Sequence, residues 1–381
     1  LRDVAGAVGV ARLQRAGKLH GDLVAPVRRQ QGGKAQQRRP RRLTDHHVFT
    51  DLHQVGEVGG DVEHVAPAAL FHLIEKILHA HGLQKPRQRN VPTGSIALVV
   101  FRRYNWICNE NTFFSSMIES IGAACRDANY TLQITYFLEN EDWDDQFHAI
   151  VSSGCSGVLL LATEMPENAG IRFEKLGLPL VVLDNAFDDA SFPSVTINNA
   201  QGAALAVRHI LDMGHREIGF LWNATGIRNF QERHMGAVQA LELFNQHRRP
   251  TETPASWVSP VTFMGGTDVY PIMSDYLKTN PKLPSALIAD NDTIAIPCIQ
   301  ALQDFGYRVP DDISVIGFDN ATMSYLINLQ LTTIDVPKQF MGQKAVHLLI
   351  SAIQGTLDAT PIRICANTSL IRGSTVKPML P

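Results

Sequence analysis

The chain has 381 residues, of which 45% are hydrophobic and 19% are charged, a composition typical of a folded chain with a large core. It contains no run of about 18 or more apolar residues, which argues against a membrane-spanning helix. The formal net charge of −3 is the sum of two unlike parts. Residues 1–93 carry 15 Lys and Arg against 8 Asp and Glu, and residues 94–381 carry 19 Lys and Arg against 29 Asp and Glu.

The basic part, residues 1–93, has little material for a hydrophobic core. Helical periodicity occurs only over 69–83, and the polar, low-complexity run 28–42 has too few apolar residues to bury a face. Its positive charge suits contact with nucleic-acid phosphates. We interpret 1–93 as an atypical basic head, either disordered or mis-framed, and we place the body of the protein at 94–378.

From Ser95 onward, short apolar runs alternate with amphipathic stretches of helical length. The predicted strands are Ile96–Phe101, Leu132–Tyr136, Gly157–Leu161, Leu180–Leu183, Ile218–Leu221, Ala286–Ala289 and Ser314–Phe318. The predicted helices are 113–128, 142–153, 200–213, 232–246, 268–279 and 292–305. Continuous apolar strands are buried on both faces, so this alternation predicts an α/β fold with doubly wound parallel sheets.

Acidic residues lie at the ends of several predicted strands, namely Asp184, Asp290, Asp292 and Asp319. Open parallel sheets bind ligands at the carboxyl ends of their strands, so these residues are candidates for a binding site. Two interpretations of Asp292 remain open: it caps the following helix, or it binds a ligand hydroxyl with or without capping. For Asp319 a structural role is favoured.

Motifs for catalysis are missing from the sequence. There is no G-x-x-x-x-G-K-[ST] phosphate loop, no G-x-S-x-G elbow, no H-E-x-x-H and no Cys-x-x-Cys. The five cysteines are few, odd in number and widely spaced, which argues against a disulfide framework or a zinc site and fits a reducing compartment. We therefore expect a cytoplasmic binding protein that is not an enzyme and has no metal and no cofactor.

Nine sequence phrases follow one another in a fixed order over about 280 residues. They are Gly94–Val100, Leu178–Asp184, Val195–Ala204, Met213–Gly219, Glu232–Ala237, Asp290–Ala295, Gly306–Asn320, Leu331–Ile334 and Leu370–Ser374. Together they resemble the effector-binding body of the LacI family, the lactose-repressor-type transcriptional regulators. This body is also similar to periplasmic sugar-binding proteins, but the last three phrases favour the regulators.

The resemblance implies two α/β lobes joined by three crossovers, with a small effector bound between them. It places the first lobe at about 95–184 plus 320–345 and the second at about 185–319 plus 346–378. The crossovers would then lie near Asp184, near Asp319 and within a helix around 340–348. Members of this family usually form two-fold homodimers, which suit palindromic operator DNA.

The resemblance also implies seven residues that contact the effector. They are Phe113, Phe114, Thr163, Asp184, Arg233, Phe263 and Asp292. An arginine and carboxylates can bind adjacent hydroxyls, and aromatic rings can stack on a flat apolar face, so we expect a sugar or nucleoside-like effector. Two alternatives stay open: Phe114 as plain core, and Arg233 as a surface ion-pair residue.

The expected function is therefore a repressor whose body binds an effector and so controls operator binding. The alternative is a stand-alone small-molecule binding or sensor module of the periplasmic-binding type. The sequence departs from the family in the head, because only Leu1–Ala11 is similar to the opening of the family's helix-turn-helix. No recognition helix or hinge helix follows it in 1–93.

If 1–93 is not a genuine helix-turn-helix head, we predict that this chain binds DNA only through the positive charge of that segment. Such binding releases counterions from phosphates, so it is independent of sequence and weakens steeply as salt rises. A gel-shift titration at about 150 mM salt with excess competitor DNA measures it. A discrete complex with a palindromic promoter site that survives the competitor would contradict this prediction.

Overall fold

Two sheets with helices packed on them make up the described part of the chain. The computed structural model describes residues 92–104, 112–258, 262–263, 268–321, 329–357 and 360–379. All of these belong to a unit that runs from Asn90 to Pro381. The expected head, 1–93, lies outside the described residues except for its last two positions, so its interpretation stays a prediction.

The described elements follow the alternation expected from the sequence. Up to residue 197 they are β1 (Gly94–Arg102), α1 (Thr112–Asp127), β2 (Tyr130–Leu138), α2 (Trp143–Ser152), β3 (Gly157–Leu161), a 3-10 helix (Glu167–Leu176), β4 (Leu180–Leu183) and β5 (Ser194–Ile197). They continue with α3 (Asn199–Asp212), β6 (Glu217–Asn223), α4 (Arg228–His247), β7 (Ser256–Val258), β8 (Thr262–Phe263), α5 (Val269–Lys278), β9 (Ala286–Ala289) and α6 (Asp292–Asp304). The last are β10 (Ser314–Asp319), β11 (Thr332–Asp335), α7 (Lys338–Ile353), β12 (Arg363–Ala366) and β13 (Ser369–Ile371).

The strands form one sheet in each of two lobes. The first sheet has the order β12-β5-β4-β3-β1-β2, and every neighbouring pair in it is parallel. The second has the order β13-β11-β10-β9-β6-β7, with β8 also paired to β6, and only β13 is antiparallel to its neighbour. We call the two sheets with their helices the first lobe and the second lobe. The predicted fold class, two doubly wound parallel-sheet lobes, is confirmed.

The chain crosses between the lobes three times, but later than the resemblance implied. It leaves the first sheet after β5, returns after β11 and leaves again after β12. Helix α7 packs on α1 and on strands of the first sheet. The expected crossovers near Asp184 and near Asp319 were wrong because each of these residues leads to one more strand of the same sheet. The third was also wrong, since α7 lies wholly in the first lobe.

Strand β1 shows why the apolar runs are continuous. Its side chains alternate between two separate hydrophobic cores: Leu98 and Val100 lie in one, and Val99 and Phe101 lie in the other. Both faces of the first sheet are therefore covered, which is the burial that a run without polar residues predicts. The second sheet has its own core around Leu287, Ile299 and Val315.

No helix among the described residues is both long enough and apolar enough to span a membrane.

Helices α3 and α4 pack closely at a glycine. A Cβ added to Gly236 in α4 would lie 2.5 Å from the Cα and the carbonyl oxygen of Ala200 in α3. Backbone atoms cannot move aside as the end of a flexible side chain can. In α1, by contrast, a Cβ on Gly122 would meet only side-chain atoms, at 3.4 Å and 3.8 Å.

We predict that Gly236→Ala lowers the free energy of unfolding by about 1–3 kcal/mol, because it forces the two helices apart. The matched variant Gly122→Ala should raise it by about 0.5–1 kcal/mol, since alanine restricts the unfolded chain and favours the helix. Urea unfolding followed by circular dichroism measures both. Equal effects of the two substitutions would show that α3 and α4 do not make this contact.

Candidate functional site

The carboxyl ends of the strands in the two lobes face each other, and hydrogen bonds connect them. The hydroxyl of Tyr104, just after β1, donates to the carbonyl of Thr225 in the second lobe at 3.2 Å. Arg228, at the start of α4, donates through Nη1 to the carbonyl of Ala186 in the first lobe at 2.6 Å. We call the region between the two strand edges the inter-lobe site.

Arg233 of α4 lies on the second-lobe side of the inter-lobe site. Its Nε donates to Asn199 Oδ1 at 3.0 Å, its Nη1 to the carbonyl of Asp290 at 2.5 Å and its Nη2 to Asp319 Oδ1 at 3.1 Å. The guanidinium also stacks on the ring of Phe318, with 3.8 Å to the ring centre. Only 4% of Arg233 is exposed, so the interpretation as a surface ion-pair residue is wrong.

Asp184 and Thr163 contact each other, as expected for two residues that follow neighbouring strands. The Thr163 hydroxyl donates to Asp184 Oδ2 at 2.7 Å. Asn229 Nδ2 donates to the Asp184 carbonyl at 3.4 Å and so links the residue to α4. Burial raises the pKa of Asp184 to about 7, against the opposing effects of Thr163 and Arg233.

Asp292 is fully buried in the second lobe. Its Oδ1 accepts from the Thr333 hydroxyl at 2.7 Å, and its Oδ2 accepts from the Ala321 backbone N–H at 2.8 Å. A Cβ on Gly317 of β10 would collide with this carboxylate, so the glycine lets Asp292 approach the strand. Burial, and then the charge of Asp319, raise the pKa of Asp292 to about 7.

The helix that begins at Asp292 is capped by its neighbour. Asn291 is the N-cap residue of α6, and its side chain accepts from the Ile294 backbone N–H at 3.0 Å. Of the two interpretations of Asp292, the cap is therefore wrong. Its carboxylate points instead towards β10 and β11.

Two of the strand-end acids that are not among the seven residues implied by the resemblance lie beside Arg233. Asp290 Oδ2 accepts from the Asn223 backbone N–H at 2.6 Å, and burial raises the pKa of Asp290 to about 7. Asp319 forms the buried ion pair with Arg233, and burial raises its pKa as well. Both follow strands in the way that Asp184 does, so the same sequence signal could have included them.

The predicted aromatic residues divide between two places. Phe113 and Phe114 are buried in the first lobe, edge to face at 4.9 Å, and the Phe113 ring centre lies 5.5 Å from Lys338 Nζ. Phe114 packs in the hydrophobic core, as its alternative interpretation predicted. Phe263 lies in the core of the second lobe with Met273. No contact among the described residues joins Phe263 to Arg233 or Asp292.

Lys338 and Asn199 were missed entirely. Lys338, the first residue of α7, reaches from the first lobe and donates to the Asp319 carbonyl at 2.5 Å. Asn199, the first residue of α3, also donates through Nδ2 to Asn229 at 3.0 Å. Nothing in the local sequence predicts that Lys338 belongs to the site, because its contact with Asp319 arises only when α7 of the first lobe lies beside β10 of the second. Asn199 lies in Val195–Ala204, one of the nine phrases that resemble the family, but no hydrophobic periodicity singles out this residue.

In the part of the chain that the structure describes, no group of three or more His, Cys, Asp or Glu side chains is arranged to hold a metal ion. The site instead consists of directed hydrogen-bond acceptors around one buried arginine, an arrangement that can bind polar groups of a small molecule.

Comparison with known proteins identifies both a matching family model and similar repressors. A family model described as a periplasmic binding protein-like domain matches residues 207–376. The HTH-type transcriptional repressor PurR of Photorhabdus laumondii is 31% identical over 248 residues, which are 64% of this chain and 71% of that repressor.

Solved structures share the fold. The transcriptional regulator CelR in complex with cellobiose superimposes with a TM-score of 0.62 at 21% identity, covering 82% of this chain and 92% of that one. The lac repressor dimer bound to operator and an anti-inducer gives a TM-score of 0.63 at 18% identity, covering 83% and 100%.

We predict that the free energy of unfolding falls between about pH 4 and about pH 7, by up to about 1.4 kcal/mol per pH unit for each carboxyl whose pKa is raised to about 7. For Asp184 the pKa rises from 3.8 to about 7, so its stabilising contribution is complete below about pH 4 and is lost as the pH rises through 7. Asp184→Asn removes this group, and its amide oxygen can still accept from Thr163. Its stability should therefore fall less steeply with pH.

Urea unfolding at a series of pH values measures this difference. The control is Asp275→Asn, which removes an exposed carboxyl of α5 that pairs with Lys278. Its stability should follow the wild-type pH dependence. Parallel curves for wild type and Asp184→Asn would contradict the prediction.

Proposed function

The chain belongs to the LacI family of transcriptional regulators, and on this premise we propose that its two lobes bind a small sugar or nucleoside-like effector between them and that this binding controls the affinity for operator DNA. The alternative, a stand-alone binding or sensor module, is not favoured. PurR, which the chain matches over most of its length, is a repressor. We propose a regulator without catalytic activity that acts in the cytoplasm, where it reaches operator DNA.

The observation that carries the proposal is the buried guanidinium of Arg233 at the strand edge of the second lobe, on the helix whose Asn229 also reaches Asp184 of the first lobe. All three of its nitrogens donate to fixed acceptors, so the side chain is held in one orientation. A rigid arginine with neighbouring carboxylates suits adjacent hydroxyls, which both accept and donate hydrogen bonds. We propose that Arg233 and Asp292 bind such hydroxyls.

The proposed site residues come from both lobes. Phe113, Phe114, Thr163 and Asp184 belong to the first lobe, and Arg233, Phe263 and Asp292 belong to the second. We propose that Phe113 offers an apolar face to the ligand, that Thr163 and Asp184 bind its polar edge, and that Phe114 and Phe263 support the site from the two cores. A ligand that touches both sets favours one arrangement of the lobes over others, and this differential binding is what couples it to a distant DNA-binding segment.

The body that we propose for effector binding is 94–378, and we propose that two such bodies form a homodimer. The solved lac repressor neighbour is a dimer bound to operator. A two-fold dimer presents two equivalent DNA-binding segments to a palindromic site. The DNA-binding part of the proposal rests on family membership, since 1–93 lies almost wholly outside the described residues.

We predict that Arg233→Ala weakens effector binding by about 10- to 150-fold, because it removes charge-assisted hydrogen bonds. Arg233→Lys keeps the charge but loses the forked geometry, so it should also weaken binding. Asp292→Ala should act in the same direction. Calorimetric titration with cellobiose, ribose and adenosine as probes measures these affinities, and the tightest probe is carried to the variants.

The matched control is Arg308→Ala, since Arg308 makes an exposed ion pair with Asp312 in the same lobe. It should bind the probe with wild-type affinity. Circular dichroism of each variant establishes that it is folded. Unchanged affinity in both Arg233→Ala and Asp292→Ala would remove the inter-lobe site as the effector site.

A further inference from the structure

The inter-lobe site holds more buried acid than base. Four of its carboxyl groups are buried, namely those of Asp184, Asp290, Asp292 and Asp319. The cations that reach this group are Arg233 and Lys338. Among the described hydrogen bonds, only Arg233 Nη2 to Asp319 Oδ1 joins one of these two cations to one of the four carboxylates. The other described hydrogen bonds of these two cations go to neutral amide and carbonyl oxygens, and Lys338 Nζ also lies 3.8 Å from Asp335 Oδ1.

Two of the carboxylate oxygens have no hydrogen-bond partner among the described residues. They are Asp184 Oδ1 and Asp290 Oδ1, and both are buried. One lies at the end of β4 in the first lobe, and the other lies at the end of β9 in the second. Buried acceptors are almost always satisfied in folded proteins, so two unpartnered ones in the same site indicate groups that a ligand completes.

Both carboxyl groups are also fixed in orientation by neutral donors. Asp184 Oδ2 is bound by the Thr163 hydroxyl, and Asp290 Oδ2 by the Asn223 backbone N–H. The second oxygen of each group is therefore held in place before any ligand arrives. Asp292 differs, because both of its oxygens already accept from the protein.

We infer that the effector carries an amine or another N–H-rich group and no phosphate or carboxylate, and that Asp184 and Asp290 recognise it. This inference rests on the proposed function and narrows its ligand class. A cationic donor pairs with a buried carboxylate through short, strong hydrogen bonds. An anionic group would lose its hydration next to four buried carboxyl groups, so the site selects against it.

Matched sets of small molecules test the inference on the full chain. The first set is glucosamine, glucose and glucose 6-phosphate, and the second is adenosine, inosine and adenosine 5′-monophosphate. In at least one set, the member with the amino group, glucosamine or adenosine, should bind about tenfold or more tightly than glucose or inosine, which lack it. The phosphorylated member should show no binding in calorimetric titration.

The variants Asp184→Asn and Asp290→Asn place an amide where the carboxylate stood. Each should reduce the ratio of the two affinities, amine member over the member without the amino group, by about tenfold. Asp275→Asn, at an exposed carboxylate of the second lobe, is the matched control and should keep the wild-type preference. Circular dichroism and thermal unfolding without ligand establish that each variant is folded.

The outcomes separate the inference from the proposed function. Binding of a phosphorylated member that Arg233→Ala abolishes would overturn the inference and leave the proposed function standing. An amine preference that survives both Asn substitutions would overturn it as well. If no member of either set binds, the inference and the sugar or nucleoside-like ligand class of the proposed function both fall.

Discussion

The inter-lobe site depends on the burial of one guanidinium. A buried cation is tolerated only when its donors are satisfied and an opposite charge lies near it, so the elements around Arg233 must meet at fixed distances. Its partners come from the start of α3 and from the ends of β9 and β10. Gly236 lies one turn further along α4 and brings that helix against Ala200, the residue after Asn199. The close packing of α3 and α4 and the reach of Arg233 are therefore one constraint.

The same reasoning accounts for strand β10. Phe318 lies beneath the guanidinium, Asp319 pairs with it, and Gly317 makes room for Asp292 on the other side. Three consecutive residues thus contribute to the site in different ways: Gly317 by lacking a side chain, Phe318 by its aromatic face and Asp319 by its charge. Any change of register in β10 would break all three, which ties the site to the parallel pairing of β10 with β9 and β11.

The sequence predicts the parts of this structure that depend on local pattern. The alternating burial along β1 and the ends of the helices can be predicted from residues close together in the chain. The polar residues at the ends of strands likewise predict which edge of each sheet carries the site. The crossovers were misplaced because short strands such as Ser194–Ile197 and Thr332–Asp335 extend a sheet after its polar strand end. The roles of Lys338 and Asn199 depend on which strands and helices become neighbours in space, and no periodicity in the sequence encodes that.

Several unfavourable features coincide at the inter-lobe site. Asp184, Asp319 and Asn320 all have left-handed backbone conformations, with φ of 62°, 107° and 48°. Asp184 also has a buried oxygen with no partner among the described residues, and burial raises the pKa of both Asp184 and Asp319. Strain, desolvated charge and unmet hydrogen bonds each lower stability, and the well-packed cores on either side must offset them. These three kinds of unfavourable feature occur together at the facing strand ends. This is expected when ligand binding, rather than stability, determines which residues occupy those positions.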